Sequence, residues 1–144
     1  MVNKTTWNTF EILNKISKAK TKKERLDLLK KEDNNWALKD ILRGSFDDVV
    51  VWLLPSGKVP YEPAPQDTHP TTWSQQHKKL GNFIKGGPGA NMKNYLREKM
   101  FLDIIESIHP KDAELVVQMI NKDLKVKGIT KALVKEAFPG LIEK

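Results

Sequence analysis

The sequence contains no cysteine, and its 144 residues include only three histidines, His69, His77 and His109. The absence of cysteine excludes disulfides, thiolate catalysis and cysteine-rich zinc sites, and the wide spacing of the histidines argues against a metal site. No apolar run approaches the roughly 20 residues that a membrane-spanning helix requires, and the first ten residues are too polar for a secretory signal. We therefore expect a protein without metal or cofactor that remains in the cytoplasm.

Basic residues outnumber acidic residues by 25 to 18, and the excess lies in three blocks. Residues 1–31 carry a net charge of +6, residues 71–99 of +5 and residues 125–144 of +3. Basic blocks that converge in a fold form a surface for a polyanion, for which nucleic acid is the first candidate and an anionic membrane the second. A lysine-rich surface that only keeps the protein soluble is the alternative.

Helical periodicity dominates the chain, and its length and 39% content of hydrophobic residues fit one domain over residues 1–144. We predict an all-α fold, a single compact bundle of six or seven helices. Polar capping pairs, Asn8 with Glu11 and Thr21 with Glu24, predict the first two helix starts. The predicted helices cover residues 9–18, 22–33, 36–44, 72–85, 91–109, 113–124 and 130–138.

Two segments between these helices are less regular. Ser45 with Asp47 and Asp48 has the pattern of a helix start, yet residues 49–54 form an apolar run that fits a helix or a buried strand equally well. We interpret the two aspartates as helix caps rather than a metal pair, because adjacent carboxylates on a helix point apart. Residues 55–70 hold five of the eight prolines and predict an irregular loop.

The tryptophans at positions 7, 36, 52 and 73 fall on or near apolar faces, which predicts core packing. Basic residues around Trp73 leave base stacking open for that ring. No arrangement of side chains indicates catalysis. The glycine-rich segment 86–89 follows a predicted helix and lacks the Lys-Ser/Thr pair that ends a phosphate-binding loop. We therefore expect a protein that is not an enzyme.

Two lysine-rich turns are the strongest candidates for a binding site. Lys20, Lys22 and Lys23 flank the second predicted helix start, and the last helix start has a similar set around Gly128, namely Lys125, Lys127 and Lys131. A helix N-terminus presents free backbone amides and partial positive charge, which suit a phosphate, and glycine allows a close approach. Neither turn has the Arg, Asn or Gln clusters that read base edges, so we predict contacts to phosphates and shape.

The C-terminal part of the chain has a characteristic order of motifs: Lys122-Asp123-Leu124, then Gly128, then Pro139-Gly140-Leu141-Ile142. This order resembles the closing part of the helical N-terminal DNA-binding domain of ATP-dependent DNA ligases, in particular phage-type ligases. Residues 9–31 are similar to the first helix pair of that domain, and residues 37–61 to its third helix, apolar segment and lysine-proline loop. The resemblance covers about residues 9–62 and 91–142 and leaves residues 63–90 unmatched.

The resemblance implies a ligand and a role. In the ligases this domain grips duplex DNA around a nick, mostly through the minor groove and phosphates, and leads into an adenylation domain with a K-x-D-G lysine. The sequence has no K-x-D-G, so we expect a free-standing relative that does not ligate by itself. The ligases it resembles point to a phage protein of the host cytoplasm, an accessory in DNA replication, repair or packaging. The implied DNA contacts are Lys20, Thr21, Lys22, Lys23, Lys125, Lys127, Gly128, Thr130 and Lys131.

Two other functions stay open. The scaffold can be a protein-interaction module that binds a phage replication factor or virion component through the proline-rich loop and the acidic block 32–70. It can also be the DNA-binding half of a split ligase that works with a separate adenylation subunit. For the leading hypothesis we expect a monomer whose partner is double-stranded or nicked DNA and not a membrane.

The missing lysine motif leads to a direct test. Incubation with radiolabelled ATP and magnesium is expected to leave the protein unlabelled, because no lysine lies in a K-x-D-G motif. A complete ATP-dependent ligase serves as the positive control on the same gel. A covalent AMP adduct on this chain would contradict the expectation.

Overall fold

Helices account for all of the regular secondary structure in the described part of the chain. The computed structural model describes residues 8–54, 60–65 and 68–142. Within these ranges it has seven α-helices, one 3-10 helix and no strand, which confirms the all-α prediction. The elements are α1 (Thr9–Ser17), α2 (Lys22–Lys30), α3 (Trp36–Phe46), α4 (Trp73–Gln76), the 3-10 helix (His77–Phe83), α5 (Asn94–Ile105), α6 (Pro110–Ile120) and α7 (Lys131–Ala137).

Short polar side chains begin the first two helices as predicted. The Asn8 N–H donates to Glu11 Oε1 at 2.9 Å, and Thr21 Oγ1 accepts from the Glu24 N–H at 3.1 Å. Each bond satisfies a backbone donor that the helix itself leaves unpaired. Capping therefore determines where both helices begin.

One connected apolar core contains buried side chains from every helix. α6 packs against α1, α3 and α5, and it buries Val116 and Met119 completely. α7 packs against α2, and α2 packs against α1. None of the helices in the described ranges combines the length and the apolar character needed to cross a membrane.

α3 is longer than predicted because Gly44 is a packing residue and not a helix stop. The helix continues to Phe46, and Ser45, predicted to begin another helix, is buried inside α3 with its Oγ donating to the Ile41 carbonyl at 2.7 Å. A Cβ on Gly44 would lie 2.6 Å from Met119 Sδ and 2.6 Å from the Trp52 ring. The missing side chain therefore allows α6 and Trp52 to approach α3 closely.

The apolar run 49–54 is neither a helix nor a strand of a sheet: Val49 lies in a turn, and the residues after it form an extended segment. The Leu53 N–H donates to the Phe83 carbonyl at 2.7 Å, and the Lys85 N–H donates to the Val51 carbonyl at 2.8 Å. These bonds flank an isolated antiparallel bridge between Trp52 and Ile84. Of the predicted loop 55–70, residues 60–65 and 68–70 contain no helix, and residues 55–59 and 66–67 lie outside the described residues.

Three of the later helix predictions need correction. The predicted helix 91–109 is shorter at both ends, since α5 runs from Asn94 to Ile105. The predicted helix 72–85 is divided, because α4 ends at Gln76 and the chain tightens into the 3-10 helix. α6 begins at Pro110, earlier than predicted, because the His109 side chain caps it: His109 Nδ1 accepts from the Lys111 N–H at 3.1 Å. Proline suits this first position, where its missing N–H leaves no helical bond unmade.

Asp112 is a buried acid in the first turn of α6. Its side chain is 1% exposed, and its Oδ1 accepts from the Phe10 N–H at 2.8 Å, which ties α1 to α6. Asp112 Oδ2 has no hydrogen-bond partner among the described residues. Burial raises the pKa of Asp112 to about 6; Glu11 adds to this rise, whereas the Phe10 N–H bond and His69 oppose it.

This pKa predicts an unusual dependence of stability on pH. The folded protein binds the Asp112 proton more tightly than the unfolded chain does, since the pKa of about 6 lies above the ordinary value of 3.8. The Asp112 contribution therefore favours folding at pH 4 and is lost as the pH rises through 6, by about 3 kcal/mol in total. Urea unfolding of the wild type and of Asp112→Asn at pH 4 and pH 7 measures this difference.

Asp112→Asn is expected to lose that pH-dependent contribution, because the amide does not titrate. Asp27→Asn, a change of an exposed acid on α2, is the matched control and should retain it. Identical stability differences between pH 4 and pH 7 in the wild type and in Asp112→Asn would contradict the assignment.

Candidate nucleic-acid interface

The two lysine-rich turns lie side by side in the structure. Ser17 Oγ, at the end of α1, donates to the Lys127 carbonyl at 2.7 Å, although the two residues are 110 positions apart in the chain. The side chain of Arg25 on α2 lies directly against Gly128. The packing of α7 on α2 therefore brings both turns onto one part of the surface.

Arg25 is the side chain between the turns. Its Nη1 donates to the Ala19 carbonyl at 3.0 Å, which fixes the first turn. Gly128 has a φ of +84°, and a Cβ there would lie 2.9 Å from Arg25 Cδ and 3.0 Å from Arg25 Nε. The protein's own packing thus requires this glycine, and a contact between Gly128 and DNA stays a prediction.

The six lysines of the turns differ in how they are paired. Lys22 contacts Glu136 at 3.3 Å, Lys125 contacts Asp123 at 2.7 Å and Lys131 contacts Asp48 at 3.5 Å, measured between Nζ and the nearest carboxylate oxygen. In the described ranges, the three others form no ion pair and are exposed: Lys20, Lys23 and Lys127. These three ammonium groups are available to an anionic ligand without the loss of an internal partner.

The two threonines of the predicted site are helix caps. Thr21 Oγ1 accepts from the Glu24 N–H, and Thr130 Oγ1 accepts from the Leu133 N–H at 3.2 Å. A hydroxyl that accepts a hydrogen bond keeps its own proton to donate. Capping is therefore compatible with a contact from either hydroxyl to a phosphate oxygen.

The Lys-Asp-Leu motif forms the turn after α6. Lys122 has a φ of +56°, and its Nζ donates to the Asp47 carbonyl at 2.6 Å. Burial lowers the pKa of Lys122, while Asp47 and Asp48 oppose this shift. The Lys122 ammonium group therefore joins the turn after α6 to the end of α3. Sequence spacing does not reveal this internal role.

The two aspartates after α3 have separate roles. Asp47 is fully buried and caps the end of α3, not the start of a helix; its Oδ1 accepts from the Val49 N–H at 3.0 Å, and Arg43 Nε lies 3.6 Å from Oδ2. Asp48 is exposed and contacts Lys131. Across residues 8–54, 60–65 and 68–142, no group of three or more His, Cys, Asp and Glu side chains could hold a metal ion.

The tryptophans are not all core residues. Trp73 is 1% exposed, and its Nε1 donates to the Ala37 carbonyl at 2.9 Å, so core packing is confirmed for this ring. Trp52 is half-buried, with its Nε1 donating to the Gly44 carbonyl at 3.1 Å. The prediction is wrong for Trp36, which is 54% exposed. Trp7 lies outside the described residues.

A match to a protein family spans most of the chain. A model described as a family of unknown function, DUF6433, matches residues 12–126. The chain belongs to this family. The DUF6433 match includes the first lysine turn and Lys125, and it ends before Gly128 and α7. No curated protein matches the sequence.

The contact between Arg25 and Gly128 predicts the effect of a single methyl group. Gly128→Ala should cost about 1 to 2 kcal/mol for the left-handed backbone and about 1 kcal/mol more because Arg25 must leave the Ala19 carbonyl. Gly86→Ala is the matched control, since Gly86 has a φ of +82° and no atom within 4 Å of its Cβ position. Urea unfolding of both variants measures the difference.

In an Arg25→Ala background, Gly128→Ala should cost no more than Gly86→Ala, because the obstructing side chain is gone. Equal losses for Gly128→Ala and Gly86→Ala in the wild-type background would show that Arg25 does not hold the second turn.

Proposed function

We propose that the protein is a non-enzymatic DNA-binding accessory protein that holds duplex or nicked DNA through phosphates and the minor groove. By analogy with the N-terminal domain of the phage-type DNA ligases that it resembles, the protein acts in phage DNA replication, repair or packaging. One observation carries the proposal: the bond from Ser17 to Lys127 and the packing of Arg25 on Gly128 place two lysine turns beside each other. Adjacent turns of this kind can contact phosphates of one duplex.

The charges of the surface suit phosphate contacts. Lys20, Lys23 and Lys127 have exposed ammonium groups with no internal ion pair in the described ranges. A lysine that neutralises a DNA phosphate releases a condensed counterion, and this release drives binding at low salt. The paired lysines, such as Lys22 with Glu136, can exchange a carboxylate for a phosphate at a smaller gain.

The polar side chains of the turns favour binding without sequence preference. Apart from the lysines, the turns offer the Thr21 and Thr130 hydroxyls, which suit phosphate oxygens. The guanidinium of Arg25, the type of group that reads guanine best, is held against Gly128 and the Ala19 carbonyl. We therefore expect similar affinities for duplexes of different sequence.

The unpaired lysines are expected to determine the salt dependence of binding. Replacing Lys20, Lys23 and Lys127 together with alanine should reduce the slope of log K against log salt by about 0.9 for each lost phosphate contact, about 2.7 in all. Fluorescence anisotropy with a labelled duplex, intact or nicked, at several salt concentrations measures the slope.

The control variant replaces Lys30, Lys31 and Lys111, which are exposed, form no ion pair in the described ranges and lie outside both turns, so that the change in net charge is the same. This variant should keep a slope close to that of the wild type. Equal reductions in both variants, or no duplex binding at low salt, would refute DNA binding through the lysine turns.

A further inference from the structure

A groove runs along α3 beside the extended segment 50–54. It consists of two neighbouring cavities that share Trp36 and Arg43 as lining residues. The larger, of about 520 Å³, lies between α3, the extended segment and the 3-10 helix. The smaller, of about 380 Å³, lies between α3 and the segment Phe138–Leu141 that follows α7. We call these two cavities the Trp36 groove.

Large apolar side chains are unusually exposed at this groove. Trp36 is 54% exposed and Val49 49%, and these are two of the five large apolar side chains that are exposed in the described ranges. Both side chains line the larger cavity. A cluster of exposed apolar side chains beside a cavity is typical of an interaction site.

Cations surround the apolar part of the groove. Arg43, Lys78 and Lys85 line the larger cavity, and neither lysine forms an ion pair within the described part of the chain. Asp40 is the one acid among the described residues that line that cavity, and its Oδ2 is hydrogen-bonded to His77 Nδ1 at 2.5 Å. Arg43 has Asp47 as a partner at 3.6 Å, so the uncompensated positive charge beside the apolar surface comes from Lys78 and Lys85.

We propose that the Trp36 groove binds an acidic peptide segment of a protein partner. A large apolar side chain of the segment enters the larger cavity, and neighbouring carboxylates contact Arg43, Lys78 and Lys85. Buried apolar anchors surrounded by a polar rim are the usual composition of a protein interface. None of these groove residues belongs to the lysine turns, so the partner and DNA use different side chains.

The walls of the groove favour a peptide over single-stranded nucleic acid. Apart from the two tryptophans, the apolar lining of the larger cavity is aliphatic, with Val50, Leu80 and Ile84 among its residues. Bases bind to accessible aromatic faces, and Lys39 Nζ, 4.2 Å from the centre of the Trp36 ring, occupies one of the two faces of that ring. Aliphatic walls instead favour burial of an apolar side chain.

Selection from a random peptide library against the full-length chain tests the proposal. The selected peptides should combine Asp or Glu with Leu, Ile, Phe or Trp. A synthetic, labelled copy of the most enriched peptide is the probe for fluorescence anisotropy. Trp36→Ala and the double variant Lys78→Glu with Lys85→Glu should each weaken its binding by about tenfold or more.

Two controls separate the groove from general electrostatics. Lys93→Glu with Lys111→Glu makes the same charge change at exposed, unpaired lysines of the described ranges outside the groove and should alter affinity less than about threefold. A probe in which lysines replace the acidic residues should bind the double variant Lys78→Glu with Lys85→Glu more tightly than it binds the wild-type protein. The variant lacking Lys20, Lys23 and Lys127 should bind the original probe like the wild type, so the DNA proposal can fail independently.

Three results would overturn the proposal. The first is a selection without an acidic and apolar consensus, or a probe whose binding is insensitive to all groove variants. The second is binding of oligothymidylate that Trp36→Ala abolishes while no peptide is selected, which would identify a single-stranded nucleic acid as the ligand. The third is a concentration-dependent dimer that Trp36→Ala dissociates, which would identify a second copy of the chain.

Discussion

The packing of α7 against α2 holds distant parts of the chain together, and the lysine-rich surface exists because of it. α2 buries only Leu29 completely, so its position depends on its neighbours α1 and α7 rather than on a broad apolar face of its own. The Ser17 hydroxyl at the end of α1 and the Arg25 side chain on α2 add a hydrogen bond and a packing contact to the second turn. The spacing between the turns is therefore set by side chains that would not themselves touch a ligand.

The acidic residues beside the lysine turns neutralise part of the positive charge there. Glu136, Asp123 and Asp48 each contact one lysine, which reduces repulsion among the ammonium groups in the free protein. Ion pairs this exposed contribute little to folding stability and are readily exchanged. In the proposed DNA complex, phosphates would replace these carboxylates, while Lys20, Lys23 and Lys127 would need no exchange.

α3 and α7 connect the two proposed surfaces. The start of α7 belongs to the second lysine turn, and the residues after it line the smaller cavity of the Trp36 groove. Asp48, at the end of α3, contacts Lys131, and its neighbour Val49 lines the larger cavity. A protein that binds DNA by the turns and an acidic segment in the groove would bring a partner to DNA through one small helical scaffold.

The sequence by itself determined the all-α class and several helix starts, because the interactions involved lie within a single turn. The Thr21 side chain accepts a hydrogen bond from the Glu24 N–H, and the Thr130 side chain accepts one from the Leu133 N–H. It also indicated both lysine turns, since charge and glycine are visible locally. Only the tertiary structure decided that Gly44 is a packing residue, that Asp112 is a buried acid and that Trp36 is exposed. For Gly44 and Asp112 the deciding atoms, Met119 Sδ and the Phe10 N–H, come from other helices. Local periodicity marks a side chain as apolar or charged, but the neighbouring elements determine whether it meets protein or solvent.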